Sequence, residues 1–113
     1  MLLERVQGMN VNVSKRNGST ALWMACQNGH GEVVRLLLAS SDIDVNQAET
    51  TNGSTPLFMA CQEGHAPVVK LLLASSDIAV NQAETERGNS PLWIACLNGH
   101  ISVVDLLLQH DST

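Results

Sequence analysis

Apolar and polar positions along the chain follow a pattern that predicts pairs of short helices. Leu22, Ala25 and Cys26 fall at helical spacing and would form one apolar stripe. The run from Val33 to Leu38 carries a second, wider stripe with the same helical period. Helices of about ten residues cannot bury such stripes alone, so the sequence predicts that each pair packs against further helices.

The same pattern returns every 35 residues. The segment from Thr20 to Ser54 matches the segment from Thr55 to Asn89 at 25 of 35 positions, so the period is no accident of composition. A third unit covers the last 24 residues, 90–113. Every cysteine falls at one position of the repeat, namely Cys26, Cys61 and Cys96. A repeated helix pair of this kind is typical of a stacked solenoid.

Each predicted helix pair carries start and stop signals. The first helix can be capped by a side-chain oxygen from Thr20, Thr55 or Ser90, and proline follows the cap at Pro56 and Pro91. A left-handed residue is wanted at the helix end, where glycine recurs as Gly29, Gly64 and Gly99. Two Asn-Gly pairs precede the caps, Asn17-Gly18 and Asn52-Gly53. Because Asn-Gly is the preferred pair for a two-residue type I′ turn, we predict hairpins of that type there.

Composition and charge exclude several function classes. The chain has 113 residues, enough for one domain, and 44% of them are apolar, so a packed core is expected. The net charge of −5, with only six Lys and Arg, argues against a nucleic-acid surface, which needs a basic face. No apolar run has the length of a signal peptide or a membrane span. We therefore expect neither a nucleic acid nor a membrane as partner.

The segment TPLFMACQEGHAPVVKLLL, residues 55–73, is followed by VN and a Gly-containing turn, and it resembles the ankyrin repeat, T-P-L-H-x-A-A-x-x-G-H-x-x-V-V-x-L-L-L. The resemblance covers essentially the whole chain. It implies an all-α ankyrin-repeat solenoid of stacked helix-turn-helix units joined by β-hairpin loops. The family's usual His is aromatic here, its second Ala is Cys, and each unit is two residues longer, which bears on the loops.

The resemblance also implies that the chain is a single array, residues 1–113. Residues 1–19 would be the tail of a preceding repeat with its hairpin. Residues 20–54 and 55–89 would be full repeats, and residues 90–113 a C-terminal partial repeat.

The cysteine and histidine that recur four residues apart suggest metal binding, thiol catalysis or packing. Gly29 ends the helix between Cys26 and His30, so the two do not share a helix face. One unit would also supply zinc with only two of its four ligands. Neighbouring helix layers lie about 8–10 Å apart, too far to pool ligands or to form a disulfide. A nucleophile would need a lowered thiol pKa and an aligned base in each of three copies. We therefore predict packing cysteines, no catalytic residue, no metal and no cofactor, and free thiols favour a reducing compartment, cytoplasmic or nuclear.

The histidines and aromatic residues also recur at fixed positions. The resemblance implies that His30, His65 and His100 satisfy backbone groups at the turn between the helices. The aromatic residues have two interpretations, a ladder packed between units or a row of anchors that contact a partner; they are Trp23, Phe58 and Trp93. The indole N–H distinguishes the two, because a buried one needs an acceptor within the protein.

The resemblance implies a non-catalytic protein-protein interaction module that binds a protein or peptide across its hairpin tips and the concave face of its first helices. The matching positions are where the units differ from one another. At the tips they are Arg16, Asn17, Ser19, Thr51, Asn52, Ser54, Glu86, Arg87 and Asn89. On the first helices they are Trp23, Gln27, Asn28, Phe58, Gln62, Glu63, Trp93, Leu97 and Asn98. The alternative is a structural or spacer fragment of a longer array, or a designed repeat scaffold, without a dedicated partner.

Charge varies along the predicted row of tips. It runs from basic to mostly acidic through Lys15 and Arg16, then Glu49, then Glu84 and Glu86 beside Arg87. Such an asymmetry predicts a field that orients a partner on one edge of the array. The alternative is a set of solvated loop charges that contribute little.

The last predicted helix, from Ile101 onward, keeps the interior apolar pattern instead of the polar outer face that ends a solenoid. We therefore expect a monomer that associates end to end at high concentration, as a piece excised from a longer array would.

The resemblance further implies that Asn46 is a site for an asparaginyl hydroxylase. Such enzymes modify ankyrin hairpin asparagines preceded by Asp-Val with a Leu eight residues upstream, and Leu38, Asp44 and Val45 occupy those places. The alternative is an asparagine that hydrogen-bonds its own turn.

Overall fold

The computed structural model describes residues 9–112, and six α-helices lie in this part of the chain. They form three antiparallel pairs in chain order: α1 (Ala21–Asn28) with α2 (Gly31–Leu38), α3 (Pro56–Glu63) with α4 (Ala66–Leu73), and α5 (Pro91–Leu97) with α6 (Ile101–Ser112). The predicted all-α fold is confirmed. The predicted tail of a preceding repeat falls largely on residues 1–8, which lie outside the described residues.

The predicted caps of the first helices are confirmed. The side-chain oxygen of each cap accepts a hydrogen bond from the backbone N–H three residues later, at 3.0–3.1 Å. Thr20 accepts from Trp23, Thr55 from Phe58 and Ser90 from Trp93. Pro56 and Pro91 take the first helical position, where no N–H is needed. At the other end Gly29 and Gly64 adopt the left-handed conformation, which glycine tolerates without strain.

The predicted type I′ turns are wrong. Such a turn needs a positive φ at both central residues, yet every described residue with a positive φ is a glycine, so Asn17 and Asn52 do not meet the requirement. In the first hairpin the Gly18 N–H donates to the Lys15 carbonyl at 2.8 Å, which closes a three-residue loop. The later loops are one residue longer, and the Gly53 N–H reaches the Glu49 carbonyl at 3.1 Å. Glycine alone therefore supplies the left-handed residue in each hairpin.

The helix pairs stack in two layers. First helices pack on first helices, α1 on α3 and α3 on α5, while α2 packs on α4 and α4 on α6. The core runs through both layers, and its largest fully buried side chains include Leu22, Leu57, Leu72, Val68 and Val69. Within the described part of the chain, no helix is both long and apolar enough to cross a membrane.

Candidate functional site

The predicted packing role of the cysteines holds for Cys26 and Cys61 and is wrong for Cys96. Cys26 and Cys61 are fully buried, Cys96 is exposed on the last pair, and all three are free thiols. Burial raises the pKa of Cys26 and of Cys61 to about 12, and the charge of Cys61 adds to the effect at Cys26. A buried thiol of such high pKa stays protonated at neutral pH, which is the opposite of an activated nucleophile.

The histidines link one helix pair to the previous one. The Nε2 atom of His65 lies 3.0 Å from the Gln27 carbonyl oxygen, and that of His100 lies 2.9 Å from the Gln62 carbonyl oxygen. A carbonyl oxygen can only accept, so Nε2 carries the proton. The predicted backbone-satisfying role is confirmed for His65 and His100, while the role of His30, an exposed residue, stays a prediction. Residues 9–112 contain no group of three or more His, Cys, Asp or Glu that could hold a metal ion.

Two of the three aromatic residues lie in the core of the stack. Trp23 is buried, and its indole N–H donates to the Ser54 carbonyl oxygen in the next hairpin at 2.9 Å. Phe58 is also buried, whereas Trp93, on the last pair, is 51% exposed. The ladder interpretation is confirmed for Trp23 and Phe58, and their side chains offer a partner little surface.

The hairpin tips form a continuous row. The Thr50 N–H donates to the Asn17 carbonyl oxygen at 2.6 Å, and the Thr50 hydroxyl donates to the same oxygen at 2.9 Å. The Thr85 N–H and hydroxyl bind the Asn52 carbonyl oxygen in the same way, at 2.7 and 3.0 Å. Thr50 and Thr85 were missed in the sequence, although they occupy the residue by which the second and third hairpins exceed the first. The extra residue locks each tip to the tip before it.

The predicted tip residues divide by exposure. Those on the surface are Arg16, Asn17, Thr51, Glu86 and Arg87, and Asn52 and Asn89 are half-buried. Ser19 and Ser54 are buried below the tips. The two serines are therefore left out of the surface that a partner can reach.

The predicted acidic tips need correction, because Glu49 and Glu84 point inward and are buried. The Glu49 carboxylate accepts the N–H groups of Thr51 at 3.0 Å and Asn52 at 2.8 Å. Burial acts to raise its pKa, but these backbone hydrogen bonds outweigh burial and hold the pKa of Glu49 below its ordinary value. Glu84 accepts the N–H groups of Arg87 and Gly88 at 2.6 and 3.0 Å. Both carboxylates organise their loops instead of facing a partner.

The order of exposed charges along the three tips therefore differs from the predicted order. The first tip presents Lys15 and Arg16, the second presents neutral Thr51, and the third presents Glu86 beside Arg87. A basic first tip followed by tips of little net exposed charge replaces the predicted run from basic to acidic.

A second row is formed by the last turns of the first helices. Every residue of α3 from Pro56 to Cys61 is buried, so α3 presents only its end. At these ends Asn28, Glu63, Leu97 and Asn98 are exposed, and Gln27 and Gln62 are half-buried. The Asn98 side-chain amide donates to the Gln62 carbonyl oxygen at 3.1 Å, next to the bond from His100. The predicted concave contact surface is thus narrower than a whole helix face.

Asn46 is held by the following loop, not by its own turn. Its side-chain N–H donates to the Asp77 carbonyl oxygen at 2.8 Å, and its Oδ1 accepts the Ala79 N–H at 2.8 Å. Asn12 makes the equivalent pair of bonds to Asp42 and Asp44, at 2.7 and 2.8 Å. The alternative of a self-bonded turn is wrong for this side chain, and hydroxylation of Asn46 stays a prediction.

These repeated contacts agree with the comparison to known families. A family model described as ankyrin repeats, in three copies, matches residues 1–49 and 43–113, which together span the chain. A comparison of this chain with curated protein sequences found no match. The matched residues include every helix pair, cap and bridging histidine described above, and the chain belongs to the ankyrin-repeat family.

Proposed function

We propose that this chain is a non-catalytic interaction module that binds a protein or peptide along two rows, the hairpin tips and the last turns of the first helices. Ankyrin repeats are in general protein-interaction modules and not enzymes. The high pKa of the buried Cys26 and Cys61 thiols supports a packing role for them. Their free state also suits a reducing compartment, cytoplasmic or nuclear.

One observation carries the proposal: the residues that stack the pairs repeat, while the exposed residues in the two rows change. The exposed tip position is Arg16, Thr51 and then Glu86, and the exposed helix-end position is Asn28, Glu63 and then Asn98. Stacking alone does not require that variation, whereas recognition of one particular ligand does.

The backbone beneath the two rows is fixed by hydrogen bonds between neighbouring pairs. Thr50 and Thr85 join the tips, and His65 and His100 join the helix ends. A surface held in its binding geometry before a partner arrives loses less entropy on binding. Both rows are therefore suited to an extended or helical segment that crosses several repeats.

The chemistry of the rows supports a partner with complementary groups. Lys15 and Arg16 make the first tip basic, and Leu97, 62% exposed, is an aliphatic anchor at the other end of the array. A bound segment would place acidic groups near the first tip and an apolar side chain near Leu97. Trp93 could contribute to the same end.

Affinity capture followed by mass spectrometry tests the proposal when variants are compared. A specific partner should be captured by the wild type and lost with Leu97→Glu. It should be retained with Lys70→Glu, which adds the same acidic group on an exposed second-helix position. A spacer without a partner would give no protein whose capture distinguishes these two variants.

Once a partner is identified, its association rate tests the role of the basic tip. Lys15→Glu with Arg16→Glu should slow association and reverse its dependence on salt, because exposed charges act mainly on encounter. An unchanged rate and salt dependence would mean that the tips do not steer binding.

We also propose Asn46 as a hydroxylation site for an asparaginyl hydroxylase, with Asn81 as the matched control that lacks the preceding acid. Because the Asn46 side chain binds the next loop, the enzyme would have to open that contact first. Intact-mass and peptide analysis after exposure to such an enzyme tests this site. An added oxygen on the Asn46 peptide supports it, and none on that peptide refutes it.

A further inference from the structure

The middle helix pair binds the last pair through a set of side chains, and the equivalents of those side chains on the last pair are exposed. Trp93 is 51% exposed although its equivalent Phe58 is buried, and Leu108 is exposed although its equivalent Leu73 is half-buried. We call this surface the C-terminal face; its residues are Trp93, Cys96, Gly99, Ile101, Val104 and Leu108. Ile101, 82% exposed, adds further apolar area to this face.

The first helix pair exposes the complementary half of the same interface. Val33 is 45% exposed and its equivalents Val68 and Val103 are buried, and Leu36 is 65% exposed where Leu71 is half-buried. We call this surface the N-terminal face; its residues are Met24, His30, Val33 and Leu36. Within residues 9–112, the two ends of the stack therefore carry the two sides of one interface, which the described pairs already form twice.

We propose that the C-terminal face of one copy of this chain binds the N-terminal face of a second copy, head to tail, in the register of the internal repeats. In that register His30 of the second copy takes the place of His65 and His100. Its ring would cover Gly99, as the ring of His100 lies against Gly64, and its Nε2 would donate to the Leu97 carbonyl oxygen.

One charge on each end helix matches in this pairing, although Arg35 already binds Glu32 of its own helix at 2.7 Å. Arg35, Lys70 and Asp105 occupy one equivalent position, and all three are exposed. Within the chain the row begins with two neighbouring cations, whereas across the junction Asp105 neighbours Arg35 of the next copy. Opposite charges at a junction help to fix register and orientation.

The proposed interface is heterologous, so a stack of any length keeps one unused C-terminal face at one end and one unused N-terminal face at the other. Association should therefore produce a series of open stacks that grow with concentration, and not a closed dimer. The proposal shares Trp93 and the Leu97 carbonyl oxygen with the proposed partner surface, but it can be tested without a partner because it concerns copies of this chain alone.

Sedimentation velocity from micromolar to millimolar concentration tests the proposal with two blocking variants. Ile101→Glu charges the C-terminal face, and Leu36→Glu charges the N-terminal face, both at exposed positions that should leave the fold intact. Each should weaken self-association about tenfold or more, since an unpaired carboxylate is costly to bury. Ser102→Glu is the matched control, because Ser102 is an exposed residue of the same helix that does not belong to the C-terminal face. This variant should associate like the wild type.

Mixing the two blocked variants gives the decisive result. The Leu36→Glu chain keeps an intact C-terminal face and the Ile101→Glu chain keeps an intact N-terminal face, so an equimolar mixture should form a one-to-one dimer and stop there. A wild type that stays monomeric throughout overturns the proposal. It is also overturned if Leu36→Glu alone still dimerises, which would indicate two C-terminal faces in contact, or if the mixture forms no dimer. Circular dichroism of each variant verifies the fold.

Discussion

Thr50 donates two hydrogen bonds to one acceptor, the carbonyl oxygen of Asn17, through its N–H at 2.6 Å and its hydroxyl at 2.9 Å. This contact joins two successive hairpin tips, and Thr85 repeats it on Asn52. The stack of ankyrin repeats is thus joined at its loops as well as through its helices.

Replacing Thr50 with Val keeps the shape of the side chain and removes the hydroxyl. We expect the free energy of unfolding to fall by about 0.5–1.5 kcal/mol, the usual net value of one hydrogen bond. Thr50→Ser, which keeps the hydroxyl, should lose clearly less. Chemical denaturation measures both, and equal stabilities for the Val and Ser variants would show that the hydroxyl bond contributes nothing.

Gly64 needs to be glycine for two reasons, and Gly99 for one. Both have a left-handed φ, at 77° and 72°, but a Cβ on Gly64 would lie 2.5 Å from the His100 ring, while one on Gly99 would meet no atom within 4 Å. We expect Gly99→Ala to cost about 1–2 kcal/mol, the backbone penalty alone. Gly64→Ala should cost clearly more than Gly99→Ala in the same denaturation experiment.

The His100→Ala background separates the two causes. If the ring contact is responsible, the penalty of Gly64→Ala should fall there to that of Gly99→Ala. An undiminished penalty would assign it to the backbone alone.

Asn46 and Asn81 occupy the same repeat position, but only Asn46 has a following repeat to bind among the described residues. Asn46→Ala removes the bonds to the Asp77 carbonyl and the Ala79 N–H, so it should destabilise the protein by about 1–3 kcal/mol. Asn81→Ala, at an exposed side chain, should stay within about 0.5 kcal/mol of wild type. Thermal and chemical denaturation compare the two variants, and similar losses would contradict the assigned role.

Glu49 should make stability depend on pH. Its pKa is lowered in the folded protein, so its carboxylate stabilises the fold above the pKa of the unfolded state, about 4.3. That stabilisation is lost as the pH falls through the folded-state pKa. Glu49→Gln should therefore be less stable than wild type at pH 7, and the difference should shrink at lower pH. Urea denaturation as a function of pH measures it, and a constant difference would show that the charge is not involved.

The three thiols should differ in reactivity. At pH 8 a thiol alkylating reagent should label the exposed Cys96 and spare Cys26 and Cys61, because buried thiols with a pKa of about 12 are neither ionised nor accessible. Mass spectrometry should find one adduct on the folded protein and three after denaturation. Work at low concentration keeps Cys96 outside any stack. Rapid labelling of all three in the folded state would contradict the packing described here.

The helices could be predicted because their signals are local. Thr20 caps, Pro56 starts and Gly64 ends a helix through bonds within a few residues, so spacing alone locates them. The inward turn of Glu49 was not predictable in that way. A carboxylate in a polar loop looks solvent-exposed, and it is buried because its loop directs N–H groups at it. Phe58 is buried and Trp93 is exposed although they share one repeat position, because only Phe58 has a described helix pair packed over it. The repeat position alone does not predict that difference.

The contacts between successive repeats also determine how the molecule comes apart. Among the described residues, each helix pair packs mainly on its immediate neighbours, so the middle pair has a neighbour on two sides and each outer pair has a described neighbour on one. Folding cooperativity in such an array comes from the interfaces between neighbouring repeats. Amide hydrogens should then exchange fastest at the two ends and slowest in α3, whose residues from Pro56 to Cys61 are all buried. Unfolding would begin at an end, so the middle repeat should be the last to unfold when the chain is pulled or heated.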